Sequence, residues 1–205
     1  MKYYPVYLNL TDKKAVVIGG GKVAERKVLT LINAGAKVKV ISPGITKTLE
    51  KVKKKGALTH IKRHYRKGDL KDSFIVIAGT SSAETNTKIA RDAKYLVNII
   101  DTPTEGNFIA PSIVKRGPLT IAISTEGCSP AVSKAIRKEI EKLYGREFAD
   151  YLRLLGKTRV KALKKIKDVK EREQFLKGLA SEKLFSSLRK KGAAPLSKKI
   201  SSRLR

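Results

Sequence analysis

The chain has 205 residues and one cysteine, Cys128. A single thiol excludes an intramolecular disulfide and suits a reducing compartment. Cys128 precedes a helix start and reads as an inert small residue. With only two histidines, His60 and His64, there is little material for a structural zinc site, and the two read as a solvated surface pair. No metal site is expected. No apolar run approaches the ~20 residues of a membrane span. The first residues, Met1 to Pro5, lack the apolar region of a signal peptide. The expectation is a cytoplasmic protein without membrane association. There is no G-x-x-x-x-G-K-(S/T) phosphate loop, no internal repeat and no recognised nucleic-acid motif.

Acidic residues are the other shortage. Eighteen Asp and Glu oppose 46 Lys and Arg, for a net charge of +28. From Arg146 onward 19 basic residues face 6 acidic ones. Such a surface attracts polyanions and speeds their arrival. Nucleic acid and a small polycarboxylate are both candidates, and charge alone does not choose. Aromatics are sparse in this basic stretch, so specific nucleic-acid binding is not expected.

Hydrophobic residues make up 41% of the chain, enough for a real core. Ala15 to Ile18 is a short apolar run, mostly β-branched, that stops at three glycines, as a buried parallel strand does. From Val23 to Ile32, Ala24, Val28, Leu31 and Ile32 recur at helical spacing. Val38 to Ile41 is the next strand. Further strands are predicted at Leu58 to Ile61, Phe74 to Ala78, Tyr95 to Ile100 and Leu119 to Ile123. Helices are predicted at Thr46 to Lys55 and Ala83 to Ala93. Strands alternating with helices imply a mainly parallel sheet covered on both faces. The last third reads as helical. Ser129-Pro130 starts a helix that Gly145 closes. Phe148 to Leu155, Val160 to Ile166 and Phe175 to Leu188 follow as basic amphipathic helices, and Ala193 to Arg205 reads as a frayed tail.

The sharpest motif is Gly19-Gly20-Gly21-Lys22-Val23-Ala24, which fits G-x-G-x-x-(G/A). Gly19 permits the tight turn off the strand, Gly21 lets a pyrophosphate approach the backbone, and Ala24 lets the helix pack on the sheet. The helix N-terminus offers N–H groups to the phosphates. Strand, glycine turn, helix and second strand follow in the required order. The fold class is therefore α/β, a Rossmann-like doubly wound sheet. An acidic residue normally ends the second strand and holds the ribose of NAD. Here that end reads Ile41-Ser42-Pro43-Gly44. Ser42 suits a ribose hydroxyl or, with Lys47 nearby, a 2′-phosphate, so NAD against NADP stays open.

Several further segments carry a family resemblance. They are Tyr4-Pro5-Val6-Tyr7-Leu8; Val17 to Lys27 with its Gly-Gly-Gly-Lys-Val-Ala-Glu-Arg-Lys; Ile77-Ala78-Gly79-Thr80; Asn98-Ile99-Ile100-Asp101; Asn107 to Ser112; and Ile123 to Pro130. Over residues 3 to about 180 the chain resembles precorrin-2 dehydrogenase, the N-terminal module of siroheme synthases. The resemblance implies oxidation of precorrin-2 to sirohydrochlorin with reduction of NAD, and a homodimer. It places the catalytic aspartate on Asp101. Read from the residues alone, Asp101 is equally a turn former before Thr102-Pro103. It matches Lys22, Val23, Pro43, Gly44 and Thr80 to cofactor contacts. Thr125 and Asn107 fall on substrate-side positions where the family usually has serine. Some members also insert ferrous iron, and Asp101 leaves that activity open. The expected organisation is a cofactor domain at 1–113, a dimerisation segment at 114–145 and a basic helical domain at 146–205, whose helices help enclose the tetrapyrrole. The rival reading is a dinucleotide-sensing regulatory or nucleic-acid-binding protein.

Overall fold

Five short strands built mostly from Val, Ile, Leu and Ala lie parallel in one sheet. In the computed structural model, which describes residues 3–196 and 200, they are β1 (Lys14–Ile18), β2 (Lys37–Ile41), β3 (Leu58–Ile61), β4 (Ile75–Ala78) and β5 (Leu96–Ile99), in the order β3-β2-β1-β4-β5. The central strand β1 pairs with β2 from Lys14↔Lys37 to Ile18↔Ile41 and with β4 from Ala15↔Ile75 to Ile18↔Ala78. The period-2 alternation of strands divides the core between two faces. Val17, Val38, Val40, Ile75 and Ile77 point to one face, under Ala24, Val28, Leu31 and Leu49. These come from the helices α1 (Lys22–Asn33) and α2 (Lys47–Lys54). Val16, Ile18, Ile41, Val76, Val97 and Ile99 point to the other, with Ile89 of α3 (Ala83–Asp92) and Leu70. Each such Val, Ile or Leu contributes roughly 1.5–3 kcal/mol when fully buried.

The chain divides into two compact units, Met1–Ala110 and Pro111–Arg205. The segments read from sequence as 114–145 and 146–205 both fall in the second unit. The strand Leu119–Ile123, expected with the parallel sheet, is instead β7 of a separate antiparallel hairpin with β6 (Ser112–Arg116). Its two-residue turn is Gly117-Pro118, set by the pairing Arg116↔Leu119. Gly117 has φ +56°, which a first turn position of this kind requires. A hairpin this tight cannot cross over to a parallel neighbour.

The remainder of the second unit is helical: α4 (Pro130–Leu143), α5 (Glu147–Lys165), α6 (Val169–Gly178) and α7 (Glu182–Lys191). Ser129 caps α4 by accepting from the Val132 amide. Two expected helices, 148–155 and 160–166, are one continuous α5 that runs through Gly156. The expected helix 175–188 is two, because Ser181 starts α7 by accepting from the Leu184 amide. Phe148, Tyr151, Leu179, Leu188, Leu196 and Ile200 form its core, and the Tyr151 hydroxyl donates to the Leu179 carbonyl at 2.6 Å. Leu196 and Ile200, read as part of a frayed tail, are thus buried; residues 197–199 and 201–205 lie outside the described residues.

Candidate cofactor site

Strand order reverses direction between β1 and β4, and a doubly wound sheet opens its crevice there, beyond the carboxyl ends of the strands. Gly19 leaves β1 with φ +117° and donates its N–H to the Ile41 carbonyl at 3.0 Å, while Gly79 donates to Ile18 at 2.9 Å. A Cβ at Gly19 would collide with the Gly79 carbonyl. One at Gly20 would collide with the Gly44 carbonyl and the Ser42 hydroxyl. Gly21 is different: its backbone is extended, it is exposed, and nothing lies within 4 Å of where a Cβ would stand. The first two glycines fit the turn into the protein, and the third leaves space outside it.

That space adjoins an open helix end. In the first unit, Thr46 caps α2 and Ser82 caps α3, but α1 has no side-chain cap at Gly21. The first intrahelical bond runs from the Glu25 amide to the Gly21 carbonyl at 2.9 Å, which leaves the Lys22, Val23 and Ala24 amides for an outside acceptor. The positive end of the helix dipole favours an anion there. A pyrophosphate fits this donor set, with the Lys22 side chain largely exposed beside it. Glu25, the one acidic group of the first turn, is turned away: the Thr46 hydroxyl donates to its carboxylate. That bond, partly opposed by burial, holds its carboxyl below the usual range, and Lys22 lies 3.5 Å off. Thr46 therefore ties the start of α2 to α1, a role not visible in the sequence. On the same helix, burial followed by the neighbouring Arg26 charge lowers the half-buried Lys27 ammonium to about 8.

Ser42 is buried and donates its hydroxyl to the Gly44 carbonyl at 2.6 Å, while its own carbonyl takes His60 Nε2 at 3.0 Å. Its hydroxyl proton is spent on the loop rather than presented to a ribose. Pro43, Gly44 and Lys47 are exposed on the same rim. His60 and His64 are not a pair: His60 is fixed on Ser42, and His64 is exposed.

Across the crevice, Thr80 follows β4 and is clamped by Asn86, a buried residue of α3. Asn86 Oδ1 accepts from the Thr80 amide at 3.2 Å and hydroxyl at 2.8 Å, and its Nδ2 donates to the Thr80 carbonyl at 3.1 Å. The available signal was a polar residue three places before Ile89 on a buried helix face. Asn86→Ala would take this partner from the Thr80 amide and carbonyl, while the hydroxyl keeps its bond to the Ser82 carbonyl at 3.1 Å. The expected result is a loss of about 1–3 kcal/mol of stability in urea unfolding and a higher Kd for the dinucleotide by titration. Asp101 lies two residues beyond β5 on the same sheet edge, exposed and without a hydrogen bond or ion pair among the described residues.

Two further predicted site residues spend their side chains on neighbouring backbone. Asn107 sits against the amino-terminal half of β5: its Oδ1 accepts from the Val97 amide at 2.8 Å and its Nδ2 donates to the Tyr95 carbonyl at 2.6 Å. It pairs the open edge of β5, which would otherwise be left exposed. Thr125 belongs to the second unit, where its hydroxyl joins the α4 cap, donating to the Ser129 carbonyl at 3.1 Å and accepting from the Ser129 amide at 3.2 Å.

The family described as putative NAD(P)-binding matches residues 6–112, and the central family of sirohaem biosynthesis proteins matches residues 116–143. The chain belongs to this putative NAD(P)-binding family. The siroheme synthase of Nitrosococcus oceani is 33% identical over 193 residues, covering 91% of this chain and 41% of that protein. That of Methylobacillus flagellatus is 39% identical over 153 residues, 71% of this chain and 33% of the relative. The chain therefore spans about two fifths of the length of the curated relatives it matches. A solved precorrin-2 dehydrogenase, SirC, superposes with a TM-score of 0.84 and 24% identity over 98% of both chains, so this fold is one already seen. Among the described residues no helix is long and apolar enough to cross a membrane.

Proposed function

We propose that the protein oxidises precorrin-2 to sirohydrochlorin, with NAD as hydride acceptor. The observation that carries this reading is the pairing of an open dinucleotide cradle at Gly21 with a carboxylate, Asp101, that has no partner among the described residues, on the same carboxyl edge of the sheet. A match to a siroheme-biosynthesis family and a fold shared with a precorrin-2 dehydrogenase supply the substrate.

When bound, the nicotinamide takes two electrons and one hydrogen nucleus as hydride. The first-turn amides of α1 and the Lys22 ammonium hold the pyrophosphate. The Gly19–Gly79 contact fixes the spacing between the two lips of the crevice. Pro43, Gly44 and Lys47 would hold the adenosine half, and Thr80, itself held by Asn86, the nicotinamide half. As hydride leaves the tetrapyrrole, positive charge builds on the ring; the Asp101 carboxylate stabilises it and takes the proton that is released. Precorrin-2 plus NAD⁺ thus gives sirohydrochlorin, NADH and one proton. The single cysteine accords with reaction in the cytoplasm.

The test is to incubate purified protein with precorrin-2 and NAD, or NADP in a parallel arm, and follow sirohydrochlorin by absorbance. Turnover with NAD is expected; no turnover with either dinucleotide overturns the assignment.

We also propose a homodimer built on α4. Val132, Ile136 and Leu143 lie at steps of four and seven along that helix, and stay 49%, 37% and 51% exposed. A stripe of this kind on a helix is the usual mark of an interface. Ile136→Glu is expected to shift the protein to monomer in sedimentation velocity without lowering its helix content by circular dichroism.

A further inference from the structure

The opposite edge of the sheet in the first unit holds a cavity of its own. Beyond the amino ends of β1, β4 and β5, the segment that leads into β4 helps to wall a space of about 810 Å³, a size usual for small-ligand sites. Strands of four or five residues put about 15 Å between it and the cofactor crevice. Its wall is anchored. Leu70 is buried against the sheet. Arg63 donates twice to Asp69 at 2.7 Å, and Asp69 Oδ2 also accepts from the Arg66 amide at 2.8 Å. The Tyr65 hydroxyl donates to Asp92 of α3 at 2.6 Å. Lys67 and Lys71 thus flank a fixed turn.

Five lysines and three aspartates line the cavity, and each aspartate already has a partner. Asp12 pairs with Lys37 at 2.9 Å, Asp72 with Lys14 at 3.7 Å, and Asp92 with the Tyr65 hydroxyl. The lysines are left in surplus. Lys67, Lys71 and Lys94 are exposed, and their side chains have no hydrogen bond or ion pair among the described residues. Two rings stand among them. Phe74 is half-buried, with the Lys13 ammonium 5.7 Å from its ring centre. Tyr95 is 63% exposed, yet its backbone is held, since its carbonyl accepts from Asn107 Nδ2 at 2.6 Å. Its ring makes no aromatic contact and its hydroxyl no hydrogen bond among the described residues.

We propose that this cavity binds a nucleoside triphosphate: the base lies against Tyr95, beside Phe74, and Lys67, Lys71 and Lys94 take the phosphates. An inorganic anion would use the cations and leave both rings idle. A neutral aromatic would leave three ammonium groups with nothing to meet. A nucleic-acid strand needs a basic track that continues along the surface, and here Asp12, Asp72 and Asp92 interrupt it. A compact ligand with a flat base and a short run of phosphates satisfies rings and cations together, since any base can stack on an aromatic face. The site stands on the edge of the sheet away from Gly21, so it can be filled while the cofactor turn is occupied. It does not depend on the proposed reaction.

The test is calorimetric titration of ATP into the full chain saturated with NADH, so that the crevice at Gly21 is already filled. One ATP per chain is expected. The triple variant Lys67→Gln, Lys71→Gln, Lys94→Gln should raise the Kd about tenfold, for ATP and for inorganic triphosphate alike, as three exposed charge pairs are lost. Tyr95→Ser should raise the Kd for ATP about fivefold or more, the loss of one stacked base, and leave that for inorganic triphosphate unchanged. A ring with only a structural role would move neither. All these side chains are exposed, so the melting temperatures of the free variants should match the wild type. Gly21→Leu, which blocks the cofactor turn, should leave ATP binding as it was. No ATP bound by the NADH-saturated wild type overturns the inference, and so does an unchanged Kd in the triple variant. Loss of ATP binding in Gly21→Leu returns the nucleotide to the cofactor turn and overturns it as well. A Tyr95→Ser protein that binds ATP like the wild type removes the base from the cavity and with it the nucleotide assignment. Binding of a thymidine oligonucleotide in place of ATP does the same.

Discussion

Replacing Asp101 by asparagine is expected to lower kcat by about 10²–10⁴-fold, while the Kd for NAD and the melting temperature stay as in the wild type. The substitution separates the two roles that the residue could have. Asparagine forms turns as readily as aspartate does, because its side chain makes the same local bonds to the backbone. If Asp101 served only the turn before the short 3₁₀ segment Pro103–Glu105, the variant would be silent. If its charge takes part in the reaction, turnover falls although nothing else moves. Its surroundings make the experiment clean. Asp101 is exposed and has no bonded partner among the described residues, so removing the charge leaves no buried group unpaired, and exposed changes of this kind usually alter stability by less than about 0.5 kcal/mol. The measurement is steady-state kinetics with precorrin-2, joined to cofactor titration by NADH fluorescence. Unchanged kcat would take Asp101 out of the mechanism.

The sheet was legible because its signals are local. Ala15–Ile18, the three glycines and the 24/28/31 spacing of α1 need no knowledge of partners. Leu119–Ile123 shows where that stops being true. Its apolar run says strand but not which strand it joins. The turn dipeptide Gly117-Pro118 was the only sign of a hairpin, and its first arm, Ser112–Arg116, buries little besides Val114. At Gly156 a local signal misled: glycine reads as a break, yet Tyr151, Thr158 and Ala162 keep one buried face on α5 across it. Asn107 and Thr125 were placed by resemblance, but whether a side-chain amide or hydroxyl faces a ligand or a neighbouring backbone group is a tertiary fact. Both turned out to be bonded to the chain itself. The same holds for Ser42, whose proximity to the cofactor rim was readable and whose bond to Gly44 was not.

Gly20 and Gly21 are adjacent and chemically identical, yet substitution is expected to damage different properties. Gly20→Ala should lower stability by about 1–3 kcal/mol, the usual range for overpacking, because its methyl group would meet the Gly44 carbonyl and the Ser42 hydroxyl, neither of which can move without opening the loop after β2. Gly21→Leu should leave the unliganded protein as stable as before, since its backbone is extended and the space around it is open. Its side chain would then occupy the lip where a pyrophosphate meets the first-turn amides of α1. Losing two hydrogen bonds to a charged group corresponds to about 100-fold or more in affinity. Thermal unfolding with and without NAD reads both effects at once. At a concentration 100 times its Kd, a ligand adds about 2.7 kcal/mol to the native state; this increment should appear in the wild type and vanish in Gly21→Leu. A Gly21→Leu protein that NAD stabilises as it does the wild type would move the dinucleotide away from this turn. A Gly20→Ala protein of undiminished stability would mean that the loop after β2 yields where its bonds say it should hold.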